Sequence, residues 1–161
     1  MACVQSETGW HIGDDEIDRP DVVALLAHHL AEMRADSPPE ACHVLPLEGL
    51  KQPKVRLFAL RDGADILLGV GALKVIAPGH GEVKSMRTHP DALGCGAGRA
   101  MLAHIVAAAR GAGLTRLTLE TGNSDLFVPA NRLYESAGFV RCGPFGGYRD
   151  TPFTHFYTLQ I

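Results

Sequence analysis

The chain has no surplus of positive charge, no long apolar run and no paired-cysteine motif, and each absence closes off a class of protein. Its 15 lysines and arginines stand against 18 aspartates and glutamates, a formal net charge of −3 with no block of like charges. Nothing in that balance offers an electrostatic surface to nucleic acid or to anionic membrane. The longest apolar runs, such as Ile66–Ala72, fall far short of a bilayer span. The N-terminus lacks the basic start and apolar core of a signal peptide, which makes the cytoplasm the expected compartment. Cys3, Cys42, Cys95 and Cys142 are scattered without C-x-x-C spacing, which argues against a zinc site or a disulfide framework. Among the histidines, His28 and His29 are adjacent, and neighbours on a helix point about 100° apart rather than converging on one ion. No metal is expected. What remains is 161 residues, 46% hydrophobic and 20% charged, without internal repeat, which suits one globular domain over 1–161 with a full core.

Periodicity lays out the elements. Pro20 stands at a first-turn position after Asp18, a plausible cap, and Val22, Leu25, Leu26, Leu30 and Met33 recur at helical spacing until Ser37-Pro38-Pro39 stops the helix. Residues Glu40–Lys54 predict a short helix or an irregular loop. Val55–Arg61, Ile66–Lys74 and Glu82–Thr88 read as a three-strand meander, turned at Asp62-Gly63, a dipeptide of tight hairpins, and at Pro78-Gly79-His80-Gly81. Strand alternation puts Glu82, Lys84 and Met86 on one face. Gly94-Cys95-Gly96-Ala97-Gly98 opens a helix with a stripe of Met101, Leu102, Ile105, Val106 and Ala109, closed by Gly111 to Gly113. A strand over Thr115–Thr121, with Leu117 and Leu119 inward, precedes a helix from Pro129 that carries Leu133 and Tyr134 up to Gly138; Phe139–Arg141 and Thr154–Gln160 read as final strands. This order is a mixed α/β domain.

The glycine-rich turn carries the chemical signal. Glycines admit close backbone approach, and a helix N-terminus offers free amides with a favourable dipole, so a pyrophosphate is the natural guest; packing alone also produces such turns. A P-loop is excluded because Gly98 is followed by Arg99-Ala100 rather than Lys-Ser/Thr. A dinucleotide fingerprint fails because Arg99 occupies its third glycine position and the preceding strands are an antiparallel meander, although Glu120 is spaced like its acid.

Val83-Lys84-Ser85-Met86-Arg87-Thr88-His89-Pro90 followed by Gly94-Cys95-Gly96-Ala97-Gly98-Arg99-Ala100-Met101-Leu102 resembles motif A of the GCN5-related N-acetyltransferases (GNAT). Ala130-x-x-Leu133-Tyr134-x-x-x-Gly138-Phe139 resembles their motif B. Ser37-Pro38-Pro39-Glu40, Gly81–Thr88, Leu119-Glu120-Thr121-Gly122 and Gly143-Pro144-Phe145 with Tyr148 resemble a group of small bacterial acetyltransferases of unassigned substrate. The resemblance implies a mostly antiparallel twisted sheet of about six or seven strands flanked by about four helices. It implies acetyl-CoA as donor and a primary amine, of a small molecule rather than a peptide, as acceptor. In that chemistry a neutral amine attacks the thioester directly within a ternary complex, which calls for a base, a stabiliser of the oxyanion and a proton for the thiolate.

By the same resemblance, Gly94, Cys95, Gly96, Ala97, Gly98 and Arg99 hold the pyrophosphate, Cys95 being an incidental small residue. The backbone at Met86, Arg87 and Thr88 holds the pantetheine arm. Leu93 replaces the usual Gln or Arg before the turn, and Phe127 replaces a cofactor-contacting Asn, with Asn123 nearby. Tyr134 matches the tyrosine that protonates the thiolate, a core tyrosine being the plain alternative; a phenol of pKa about 10 gives a proton to a thiolate of about 8.5 only modestly uphill. Glu82, Glu120 or water is the base. Glu40, His43 and Tyr148 are candidate acceptor contacts. A non-catalytic acyl-CoA-binding module on the same fold is the alternative reading. The resemblance also allows a homodimer through the C-terminal strands, where Phe153, Phe156 and Tyr157 are apolar; core packing accounts for them equally well.

Overall fold

The leucine- and valine-rich runs of the chain's middle third form the sheet expected of them, in a computed structural model that describes residues 9–14 and 16–161. Chain order is β1 (His11–Asp14), α1 (Pro20–Asp36), α2 (Leu47–Leu50), β2 (Val55–Arg61), β3 (Leu67–Ala77), β4 (His80–Thr88), α3 (Ala97–Gly111), β5 (Arg116–Gly122), α4 (Val128–Ser136), β6 (Val140–Cys142) and β7 (Thr154–Gln160). The seven strands make one sheet in the order β1-β2-β3-β4-β5-β7-β6. All neighbours are antiparallel except β4 and β5, whose parallel pairing needs the crossover that α3 provides.

Two apolar clusters cover the two faces. Val22, Leu25 and Leu26 of α1, with Leu50, pack on Leu57, Ala59, Val70 and Ala72. Met101, Leu102 and Ile105 of α3, with Tyr134 of α4, pack on Phe58, Leu73, Val83, Leu117 and Leu119. Alternation along β2 and β3 sends successive residues to opposite clusters, which is the sheet's side-chain period of two. Gly71 lies directly under α3: a Cβ there would stand 2.8 Å from Met101 Cγ and 2.9 Å from both Ile105 Cδ1 and Met86 Sδ.

Several expectations are corrected. Strand β1 was not anticipated; four residues of mixed exposure carry no alternation, and pairing with β2, His11 opposite Arg61, makes the strand. The α1 cap is Arg19 rather than Asp18, without a side-chain bond, and the buried stripe uses His29 where Leu30 was expected. Asp62-Gly63 does not make a two-residue hairpin. Its loop runs to Ile66, with Asp62 Oδ1 accepting from the amides of Ala64 (2.9 Å) and Ile66 (3.0 Å). Of the two readings open for the C-terminal aromatics, Phe156 and Tyr157 are core, 2% and 1% exposed, on a strand between β5 and β6, while Phe153 is exposed.

The most consequential correction is on β4. Val70 faces Arg87 but Ala72 faces Lys84, so β4 holds one extra residue there, with Ser85 at φ 54°. This bulge breaks the alternation. Glu82 and Lys84 share one face, as expected, but Met86 turns to the α3 side and joins the core there.

The packing under α3 has a direct test. Gly71→Ala overfills the contact with Met101, Ile105 and Met86 and should cost about 1–3 kcal/mol. Urea unfolding should show a lower midpoint with an unchanged slope.

Candidate active site

Strands β4 and β5 are paired only at His80–Arg116, Gly81–Leu117 and Glu82–Thr118. Past that point β4 continues to Thr88 and β5 to Gly122 without a shared rung. The gap is a cleft of about 190 Å³, lined by both strands, by the segment that follows α1 and by α4. No helix among the described residues is long and apolar enough to cross a membrane.

The glycine-rich turn follows β4. Gly94 and Gly96 have φ of +75° and +86°, a region where only glycine is unstrained, and nothing stands within 4 Å of where either Cβ would be. Gly96 caps α3 with no side-chain hydrogen bond, and the first turn of α3 holds no acidic residue. The amides of that turn have no intrahelical partner, and the helix dipole adds to their attraction for an anion. Gly98 sits against Leu133 Cδ2 and Thr88 Oγ1, which a Cβ would approach to 3.3 and 3.5 Å, so glycine here lets α3, α4 and β4 meet. Arg99 is exposed beside the turn. Open backbone, bare amides and an adjacent guanidinium fit a pyrophosphate. Cys95 is disulfide-bonded, a bridge of which its spacing held no sign. Asn123 donates to the carbonyl of Pro152 at 2.7 Å, at the end of β5, and does not line the cleft.

Side chains from four parts of the chain converge at the cleft. Tyr148 donates to Glu82 Oε1 at 2.6 Å, across 66 residues. Lys84 Nζ donates to Glu82 Oε1 (3.1 Å), to Tyr148 Oη (2.8 Å) and to the carbonyl of His43 (3.4 Å). An ammonium has three donors, so the Lys84 charge is fully engaged while buried. His43 Nδ1 lies 2.8 Å from each carboxylate oxygen of Glu120. In the tautomer that donates from Nδ1 to this carboxylate, Nε2 carries the ring's lone pair. Burial pushes the Glu120 carboxyl above its ordinary range, with the His43 hydrogen bond opposing. The ring of His43 stacks obliquely on Tyr148, centroids 4.8 Å apart.

Tyr134 enters the cleft from α4. Its ring packs against Phe139 and Tyr157, its hydroxyl bonds to no described residue, and burial pushes its pKa well above the phenol's usual value. Phe127 closes the neighbouring edge: its ring atoms lie 2.2 to 2.6 Å from where a Cβ on Gly122 would be, so the ring seats only on glycine.

The structure brings Glu82, Glu120, His43, Tyr148 and Tyr134 together, whereas Glu40 is exposed and outside the cleft. Sequence reasoning missed Lys84 as a member of the cluster, although its place two residues after Glu82 on one strand face was the signal for it. It also missed His29, and it named Arg87 only for its backbone; both residues line the cleft.

His29 has a measurable consequence. It is 8% exposed, and burial first, then the Arg87 charge, lowers its pKa from 6.5 to about 4. The folded state thus binds fewer protons than the unfolded chain between those values, and the stabilisation present above pH 6.5 is lost as pH falls toward 4. Between pH 7 and pH 4 the wild type should lose about 3 kcal/mol more than His29→Leu, read by denaturant titration at each pH.

Residues 22–139 match the model of the Acetyltransferase (GNAT) family. Over 151 residues, 94% of this chain and 99% of the relative, the sequence is 42% identical to the uncharacterized N-acetyltransferase YsnE of Bacillus subtilis. It is 40% identical over 150 residues to the uncharacterized N-acetyltransferase YedL of Escherichia coli, covering 93% and 94% of the two chains. Among solved structures, one from Klebsiella pneumoniae described as an acyl-CoA N-acyltransferase superposes with a TM-score of 0.76 at 26% identity, covering 94% of this chain and 97% of that one.

Proposed function

The chain belongs to the GNAT acetyltransferase family, and from that premise we propose that it transfers an acetyl group from acetyl-CoA to the primary amine of a small molecule. Both substrates are bound together and the amine attacks directly. The observation that carries this reading is the parting of β4 and β5. It opens a cleft lined by proton-handling side chains, while the bare-amide turn stands beyond the far end of β4.

Coenzyme A supplies an activated acyl carbon and a thiolate leaving group. The chain supplies position and proton traffic. The amides at the start of α3 and Arg99 hold the pyrophosphate, and the unpaired edge of β4 from Lys84 to Thr88 offers backbone groups to an extended pantetheine arm, as an added strand would use them. Glu120 and His43 act as the base: His43 Nε2 takes the amine proton while Glu120 holds Nδ1–H and stabilises the cation that results. Glu82 orients Lys84 and Tyr148, since its Oε1 already accepts from both.

Tyr134 has a narrower role than its sequence position implies. A buried phenol with a raised pKa keeps its proton, so complete transfer to a thiolate is more strongly uphill than in water. It donates a hydrogen bond to the departing sulfur.

Calorimetric titration with acetyl-CoA, paired with thiol release over a panel of amines, tests the assignment. Gly96→Asp, which places a carboxylate at the turn, should abolish acetyl-CoA binding. Tyr134→Phe should bind acetyl-CoA like the wild type and lose about 10–100-fold in kcat, the worth of one hydrogen bond to a charged group. Glu120→Gln should lose about 10²–10⁴-fold. Intact acetyl-CoA binding in Gly96→Asp, or turnover unchanged in both other variants, would refute the reading.

A further inference from the structure

Two buried side-chain atoms among the described residues have no hydrogen-bond partner: Nδ1 of His29 and Nε of Arg87. Both residues line the same cleft. They come from different elements, α1 and β4, and they are close enough for the Arg87 charge to act on His29. A buried polar atom left unpaired costs about 1–3 kcal/mol. Both atoms are themselves out of reach of solvent, on residues that line one cavity, so a ligand that supplied their partner would do so with a small shift of the two side chains.

The chemistry of that partner follows from how Arg87 is held. Its Nη1 donates to Glu32 of α1, which fixes the guanidinium plane and engages one edge. The Nε–Nη2 edge remains, and neither nitrogen bonds to a described residue. That side-on edge presents two parallel N–H donors at the spacing of a carboxylate's two oxygens. Glu32 offsets the charge of Arg87, so recognition rests on paired hydrogen bonds more than on net field. His29 is neutral when buried here, and a neutral imidazole can turn an N–H toward the same anion without adding a charge.

We propose that Arg87, with His29 beside it, binds a carboxylate on the acceptor, so that the acceptor is an amino acid and not a simple amine. The inference rests on the transferase reading above and adds its substrate class. One molecule then meets both halves of the cleft: its carboxylate lies on the Arg87 edge and its amine faces the His43–Glu120 pair. The bulge at Ser85 makes this arrangement available, because it restores Arg87 to the same face as Lys84 after an odd number of residues.

The test compares L-amino acids with the amines that lack only the carboxylate: serine with ethanolamine, leucine with 3-methylbutylamine, phenylalanine with phenethylamine. Thiol release is measured at saturating acetyl-CoA. The best amino acid should exceed its matched amine by roughly 10–100-fold in kcat/KM, the range of a charge-assisted bidentate contact. Arg87→Lys retains the charge near Glu32 but lacks the side-on edge, and Arg87→Gln lacks both; each should bring that ratio toward one mainly by raising acceptor KM. Equal kcat/KM across the matched pairs, or a ratio that survives both substitutions in folded protein, overturns the inference and leaves the transferase reading standing. Binding of acetyl-CoA with no thiol release from any amine or amino acid overturns the transferase reading and this inference with it.

Discussion

Three shared rungs between β4 and β5 decide the shape of everything around them. A parallel pair normally runs the length of its strands, and here it ends at Glu82 opposite Thr118. From there β4 is held only by β3, and its other edge opens onto the cleft. The bulge at Ser85 belongs to the same event, since a strand that bends away from one neighbour while staying bonded to the other takes up the difference with an extra residue. The glycine-rich turn, the site flank on β5 and the seat of Tyr134 are all placed by that divergence.

Buried charge is handled by a small number of closed networks. Arg61 is fully buried and donates to Glu16 (2.6 Å), to both oxygens of Asp21 (2.7 and 3.0 Å) and to the carbonyl of Asp65 (3.0 Å), tying the start of α1 to the β2–β3 turn. Lys84 does the equivalent at the cleft with Glu82, Tyr148 and His43. Such groups are tolerated because each donor meets an acceptor; a charge with one partner removed costs far more than the pair returns. His29 and Arg87 depart from that rule, each with one buried nitrogen that has no partner among the described residues.

How much of the site was legible varies with the distance over which it is assembled. The turn at Gly94–Gly98 and the stripe of α3 are local, and both appear in the structure where periodicity and glycine placement put them. Tyr134 was located through a contiguous motif. Glu82, Tyr148, Glu120 and His43 were each singled out, but as separate candidates for a base or an acceptor contact. Their bonds span 66 and 77 residues, and spacing holds no information at that range. Met86 was misassigned because alternation assumes a regular ladder, and the bulge that breaks it is set by the neighbouring strands.

The amino-acid sequence alone determined the mixed α/β class, most helices and strands, the glycine-rich turn that opens α3 and, through two motifs, the family. These are properties of short windows, where hydrophobic period, proline and glycine act on the chain within a few residues. Only the tertiary structure decided which carboxylate is engaged by lysine and which by histidine, which face Arg87 presents, and which buried atoms lack a partner. Those outcomes depend on where two strands separate and on a loop returning from the far end of the chain, and both arise from packing between distant segments.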